Sequence, residues 1–156
     1  MKKIELSQGM FAFVDDDDYD YLNQYNWCFN KGYATRNVKV SGKQKTQNMH
    51  RLVTNCPDGL FVDHINHDKL DNQKSNLRVC SRSENNQNQQ KRTIAKSSRF
   101  KGVYFAKHAN KWMAYIRFNY KLKNLGYFTN EIDAAIAYNN AAIEMFGEFA
   151  LINDVR

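Results

Sequence analysis

Two short runs of β-forming residues, Leu60 to Ile65 and Leu77 to Cys80, flank a stretch from Asn66 to Asn76 in which Leu70 is the one apolar residue. A segment so rich in Asn and Asp does not continue a strand, because these side chains bond the local backbone and favour turns. The stretch is therefore expected to be a loop. Directly after it, Ser81-Arg82-Ser83-Glu84 has the pattern in which a serine caps a helix and a glutamate three residues on reaches back. A helix is expected from there to about Lys91. Strand, long loop, strand and helix, in that order, constrain the fold more than any other feature of the chain.

Upstream, Lys3 to Leu6 and Phe11 to Val14 read as short strands around Gln8-Gly9. The acidic run Asp15 to Asp20 opens a short helix to about Gln24, with its carboxylates at the end the helix dipole favours. Trp27 to Phe29 and Tyr33 to Lys39 suggest a hairpin around Lys31-Gly32, and Val38 to Met49, broken at Ser41-Gly42, a second. Met49 to Val53 starts a short helix that ends before Pro57. Downstream, 92–98 is polar and reads as a linker. Phe100 to Phe105, Lys111 to Phe118 and Leu122 to Phe128 then follow as three strands, and Thr129 or Asn130 caps an alanine-rich helix from Glu131 to Phe146 that Gly147 stops. The expected class is α+β: residues 1–91 as one domain with its motif core at about 49–91, and 99–156 as a three-stranded antiparallel sheet packed on one helix.

The chain carries 23 Lys and Arg against 16 Asp and Glu, a formal charge of +7. Between Lys91 and Asn130 there are ten cations and no acid. Such segregation concentrates phosphate polymers, so the expected partner is nucleic acid; a basic surface that only confers solubility is the plainer reading. Cys28, Cys56 and Cys80 are odd in number and far apart, which suits a reduced compartment and argues against a zinc knuckle. Met1-Lys2-Lys3 leads into no signal-like apolar stretch, and no segment approaches a membrane span. The expected place of action is the cytoplasm, with no membrane partner.

The chemistry concentrates at Asp63-His64, Asn76 and Asn85. Hydrolysis of a phosphodiester needs a deprotonated water, neutralisation of the charge that builds on phosphate, and stabilisation of the leaving oxygen. Histidine titrates near ~6.5 and can take the proton. A divalent ion on hard oxygens can do the rest. Asp63 and Asn85 offer two such oxygens, and so few protein ligands suit Mg²⁺, with Mn²⁺ able to substitute. Neighbours on a flat strand face opposite ways, so Asp63 and His64 serve one phosphate only where the strand twists or ends. Asn76 would then tie the loop to the backbone and help aim His64. Taken singly, His64 reads equally well as a satisfied core histidine, Asn76 as a turn residue and Asn85 as a solvated helix residue. His50 and His67 are rival bases, His50 more simply a packing or phosphate contact and His67 a solvated loop residue.

Met49-His50-Arg51-Leu52, Asp63-His64, Asn76-Leu77-Arg78 and Glu84-Asn85-Asn86 together resemble the HNH endonucleases, and among them the mobile, phage-type homing enzymes with a ββα-metal fold. The resemblance spans roughly a quarter of the chain. It implies His64 as general base, Asn76 as a structural residue of the catalytic motif, and Asp63 and Asn85 as ligands. Many members carry His at the last position; Asn there implies a hard metal and argues against zinc. A bacterial or phage-infected cell is the implied setting.

In Lys111 to Asn119, Trp112, Ala114, Ile116 and Phe118 alternate with Lys111, Met113, Tyr115 and Arg117. The first set is expected on the helix and the second on DNA, extended by Lys101, Tyr104, Lys121, Lys123 and Asn124. Phe100-Lys101-Gly102-Val103-Tyr104, Ala114-Tyr115-Ile116-Arg117, Leu125-Gly126-Tyr127-Phe128 and Ala134-Ala135-Ile136-Ala137-Tyr138 are similar to the DNA-binding domain of plant ethylene-response transcription factors. That resemblance covers about a third of the chain and implies a sheet lying in the major groove, with Lys101, Tyr104, Tyr115, Arg117 and Asn124 on its DNA face. Several family arginines and a tryptophan are replaced here, so the recognition sequence does not carry over. The expected activity is cleavage of double-stranded DNA, one nick per binding event, or both strands in a dimer. A DNA-binding regulator with a decayed site and an RNA-binding protein are the alternatives; no oligomeric state follows from the sequence.

Overall fold

The computed structural model describes residues 1–90, 97–119 and 121–156. It forms two compact units, Met1–Arg82 and Ser83–Arg156. The end of the expected helix at Lys91, and 92–96 of the expected linker, lie outside the described residues.

In the first unit, β1 (Lys2–Glu5) and β2 (Phe11–Val14) pair antiparallel with Ile4 opposite Ala12. Helix α1 (Asp16–Asn23) follows. A three-stranded sheet comes next: β3 (Cys28–Asn30), β4 (Tyr33–Val40) and β5 (Lys43–Asn48), with β4 in the middle. Its turns are Lys31-Gly32 and Ser41-Gly42, and all four residues have positive φ. That is the backbone twist a two-residue hairpin loop requires. The two expected hairpins thus share one strand. The short helix α2 (Met49–Val53) leads to β6 (Phe61–His64) and β7 (Leu77–Cys80), paired antiparallel.

Ile4, Leu6, Ala12, Val14, Leu22, Trp27, Ala34 and Met49 form the core of this unit. Trp27 is buried with its Nε1–H satisfied by the Leu22 carbonyl at 2.9 Å, so the indole contributes apolar area without an orphaned donor.

Helix α3 (Arg82–Gln87) is shorter than expected and ends before Lys91. The second unit is built from β8 (Val103–Ala106), β9 (Lys111–Phe118), β10 (Lys121–Phe128) and α4 (Glu131–Phe146), with β9 central. Asn130 caps α4, its side-chain oxygen accepting from the Asp133 N–H at 2.7 Å. Ala134, Ala135, Ala141 and Ala142 are buried, and these small side chains bring α4 close to the sheet. The approach is close at Gly102, where φ is +72° and an added Cβ would lie 2.0 Å from the Tyr138 ring. Ser97 and Ser98, expected in the linker, belong to this unit. Their hydroxyl oxygens accept from the Phe105 and Phe100 backbone N–H at 2.9 and 3.0 Å.

Among the described residues no helix is long and apolar enough to cross a membrane. Cys28, Cys56 and Cys80 form no disulfide.

Candidate active site

The polar stretch 66–76 is a loop whose ends are tied together by one side chain. Asn76 Oδ1 accepts from the Asn66 N–H at 3.0 Å, and its Nδ2 donates to the Asp71 carbonyl at 2.9 Å. The Ile65 N–H adds a bond to the Asn76 carbonyl at 2.9 Å. Strand β6 stops at His64, where His67 N–H returns to the His64 carbonyl at 3.0 Å and His67 takes a left-handed φ of +66°. The loop is also pinned from outside. Phe13 N–H donates to the Leu70 carbonyl and Asn72 N–H to the Phe13 carbonyl, at 2.8 and 2.7 Å. Asp15 precedes α1 but caps nothing with its side chain. Its carboxylate accepts instead from the Lys74 N–H at 2.7 Å, while Asp18 accepts from Lys74 Nζ at 2.8 Å. Part of the acidic run thus holds the loop beside the motif.

Asp63 and His64 are each 6% exposed. Asp63 lies opposite Arg78 in the register, and Arg78 Nε and Nη2 both donate to its Oδ2, at 2.9 and 2.7 Å. An ion pair this buried is held by geometry; removing one partner strands a charge. His64 packs among aromatic rings. The His50 ring stands edge-on to it, 5.1 Å between centroids, and the Tyr33 ring lies 6.1 Å away. Burial lowers the His64 pKa below the usual imidazole value. The Asn72 side chain and the charges of Asp63, Asp71 and Asp68 oppose that shift. The outcome is an imidazole neutral at pH 7, the form that accepts a proton.

His50 is held still more firmly neutral. Burial, then His64 and Arg51, push its pKa down to about 3. Arg51 donates to the carbonyls of Leu60, Cys56 and Pro57 at 2.7, 3.1 and 2.9 Å, which fastens α2 to the segment entering β6.

Asp63, His64 and Asn76 therefore come together in the first unit. Asn85 sits half-buried on α3, within the residues of the second unit. Among the described residues no three His, Cys, Asp or Glu side chains gather as a metal cage. The Asp63 carboxylate is a hard oxygen donor, of the kind a divalent ion that keeps most of its waters takes. Arg78 lies in the Asn76-Leu77-Arg78 run, but residue type alone gives it no task there, and Asn72 and Tyr33 belong to no motif. Pairing β6 with β7 across the loop would have placed Arg78 opposite Asp63. Asn72 and Tyr33 leave no local signal.

On the sheet of the second unit, Tyr104 and Tyr127 flank Met113 in register, and Asn124 lies opposite Tyr115. With Arg117 they share the face away from α4. Three expectations are corrected there. Met113, expected to be exposed, is 8% exposed, because Tyr104 covers it and donates its hydroxyl to the sulfur at 2.8 Å. Lys121 and Lys123 pair with Phe118 and Ile116, which puts them on the opposite face from Tyr115, Arg117 and Asn124. Lys101 is turned inward. Its ammonium donates to the Gln87 and Gln89 carbonyls, and burial draws its pKa down to about 8. Asn124 uses its side-chain oxygen on the Gly126 N–H at 2.9 Å, closing the bulge in β10.

Residues 50–87 match the family model of the HNH endonucleases, a span that holds Asp63, His64, Asn76 and Asn85. Over 157 aligned residues the chain is 32% identical to an uncharacterised HNH endonuclease of Acanthamoeba polyphaga mimivirus, an alignment covering 95% of this chain and 77% of that protein. No solved structure matches the chain.

Proposed function

The chain belongs to the HNH endonucleases, and from that premise we propose that it hydrolyses phosphodiester bonds of double-stranded DNA with His64 as the base. The observation that carries this reading is the buried, neutral imidazole of His64 at the very end of β6, beside Asp63 and below a loop fastened by Asn76. A neutral imidazole next to a carboxylate accepts the proton of a water, and the nearby acids stabilise the imidazolium that results. Arg78 fixes the Asp63 carboxylate, and Asn76 fixes where β6 ends, so neither group has to reorganise when DNA arrives. Asp63 and Asn85 would hold the divalent ion, Mg²⁺ or Mn²⁺, which when bound supplies charge neutralisation at the phosphate and the leaving 3′ oxygen. Asn76 acts by positioning.

In the same reading residues 1–91 with α3 supply a ββα-metal nuclease of the homing type. Residues 99–156 supply an ethylene-response-type DNA-binding domain whose open face carries Tyr104, Tyr115, Arg117 and Asn124. The sheet-on-helix packing supports that assignment; Arg117 serves base edges or phosphates, and the tyrosines serve sugar and base faces.

The test is nicking of a supercoiled plasmid with Mg²⁺ and with EDTA. Wild type is expected to nick only with the metal, and His64→Ala to bind DNA without nicking. Nicking by His64→Ala at the wild-type rate refutes the base assignment. A second reading, a non-cleaving DNA-binding regulator, draws support from Arg78, whose fork already occupies Asp63 Oδ2. Binding without nicking by the wild type in either Mg²⁺ or Mn²⁺ would favour it.

A further inference from the structure

A second basic stretch directly precedes the catalytic motif in sequence. From Tyr21 to Pro57 the chain has no acid and six cations, Lys31, Arg36, Lys39, Lys43, Lys45 and Arg51. Two of these have structural tasks. Arg51 holds three carbonyls, and Arg36 stacks 3.5 Å from the Tyr25 ring centroid while donating to Gln47 at 2.8 Å. Lys39, Lys43 and Lys45 have none of that kind. They lie on the outer part of the β4–β5 hairpin, where every residue from Asn37 to Gln47 is exposed or half-exposed.

The outer hairpin is a two-stranded ribbon open to solvent on both faces. Its register is regular: Asn37 opposite Thr46, Val38 opposite Lys45, Lys39 opposite Gln44, Val40 opposite Lys43. Alternation puts Asn37, Lys39, Gln44 and Thr46 on one face, and Val38, Val40, Lys43 and Lys45 on the other. Neither face covers a core, and an isolated hairpin is only marginally stable in water, so folding alone does not account for its length. Lysines on β5, an edge strand, do guard against strand addition. Beyond Thr35 β4 has, among the described residues, no partner but β5 and is an edge too, so that task accounts for charge on either strand; it does not call for an amide-rich face.

A ribbon of two strands ~5 Å apart fits the B-DNA major groove, which is ~12 Å wide. Asn and Gln match adenine edges there, and valine matches the thymine methyl. We propose that the outer β4–β5 ribbon enters the major groove of duplex DNA, with Lys39, Lys43 and Lys45 on its phosphates. This rests on the nuclease reading above, and it assigns part of the first unit to holding the substrate.

The test uses the full chain, a mixed-sequence DNA duplex and the RNA duplex of the same sequence. The variant is Lys39→Gln/Lys43→Gln/Lys45→Gln, with Lys43→Gln alone as a milder second variant should the triple fail to fold. Three lost phosphate contacts should lower the slope of log affinity against log salt by about 3, and one by about 1, at ~0.9 per contact. The major groove of A-form RNA is too deep and narrow for a ribbon, so preference for DNA over RNA should also shrink. An unchanged slope overturns the proposal. A slope that falls equally on DNA and RNA overturns the groove placement. A wild type that neither binds nor nicks plasmid defeats the nuclease reading instead; a wild type and variants that nick with the same salt dependence defeat only the ribbon.

Discussion

Acid should destabilise the first unit through His50 by an amount that can be worked out. In the folded chain burial holds the His50 pKa at about 3, against about 6.5 for a free imidazole. The folded state therefore binds fewer protons than the unfolded state between those two values. A histidine with a depressed folded pKa contributes stability that is present above the unfolded pKa and is lost as pH falls. Integrating one proton between pH 7 and pH 5 gives a loss of about 2 kcal/mol from this group, and about 3 by pH 4. Burial at 6% exposure means that solvent screening does little to reduce this figure. The assay is urea unfolding followed by Trp27 fluorescence in a Trp112→Phe background, since the chain has two tryptophans and Trp27 lies in the first unit's core. Wild type is compared with His50→Phe, which keeps a ring against His64 and removes the titrating group. The absolute stabilities will differ; the slope with pH carries the information. His64, shifted in the same direction, titrates in both chains and leaves the difference intact. Wild type should lose about 2 kcal/mol more than His50→Phe between pH 7 and pH 5. Equal slopes would mean that His50 is already solvated or paired, and the neutral cluster around His64 would fall with it.

Other outcomes follow from the same geometry. Gly102→Ala combines a positive φ with a Cβ 2.6 Å from the Tyr115 carbonyl oxygen, so thermal unfolding of the second unit should show a loss of about 2–4 kcal/mol. Arg78→Met leaves the Asp63 carboxylate buried without its fork; urea unfolding should show a cost of about 3–5 kcal/mol, with a smaller cost for the double change Arg78→Met/Asp63→Leu. Lys101→Met should alter the melting of the second unit and leave the salt slope of DNA binding unchanged, whereas Arg117→Ala should lower that slope by about 1.

Much of the fold is legible because its elements are local. The Ser41-Gly42 and Lys31-Gly32 turns, the Asn130 cap and the Gly147 stop are each decided within four residues, and β9 and α4 have the bounds their patterns suggest. Errors arise where long-range packing decides. Met113 alternates with core residues as an exposed residue should, yet its neighbours in register are tyrosines large enough to cover it. Lys101 carries the charge of a phosphate contact, but the carbonyls that take its ammonium come from Gln87 and Gln89, beyond the reach of any local rule. Lys121 and Lys123 stand next to Asn124 in sequence, yet strand alternation puts them on the other face.

The same distinction holds at the candidate site. Asp63, His64 and Asn76 can be picked out by residue type and spacing, because their chemistry depends on what they are. What makes His64 a base is less visible. Its neutrality comes from burial against His50 and Tyr33, and the loop below it is held by Phe13, Asp15 and Asp18 from the first hairpin and helix. The loop contacts span 56 to 59 residues of chain, so no motif can encode them. They also assign a task to the N-terminal segment: a strand that must end at one residue needs its loop fixed from outside. Loosening Asp15 should therefore impair nicking through the position of His64 while leaving the affinity for DNA where it was.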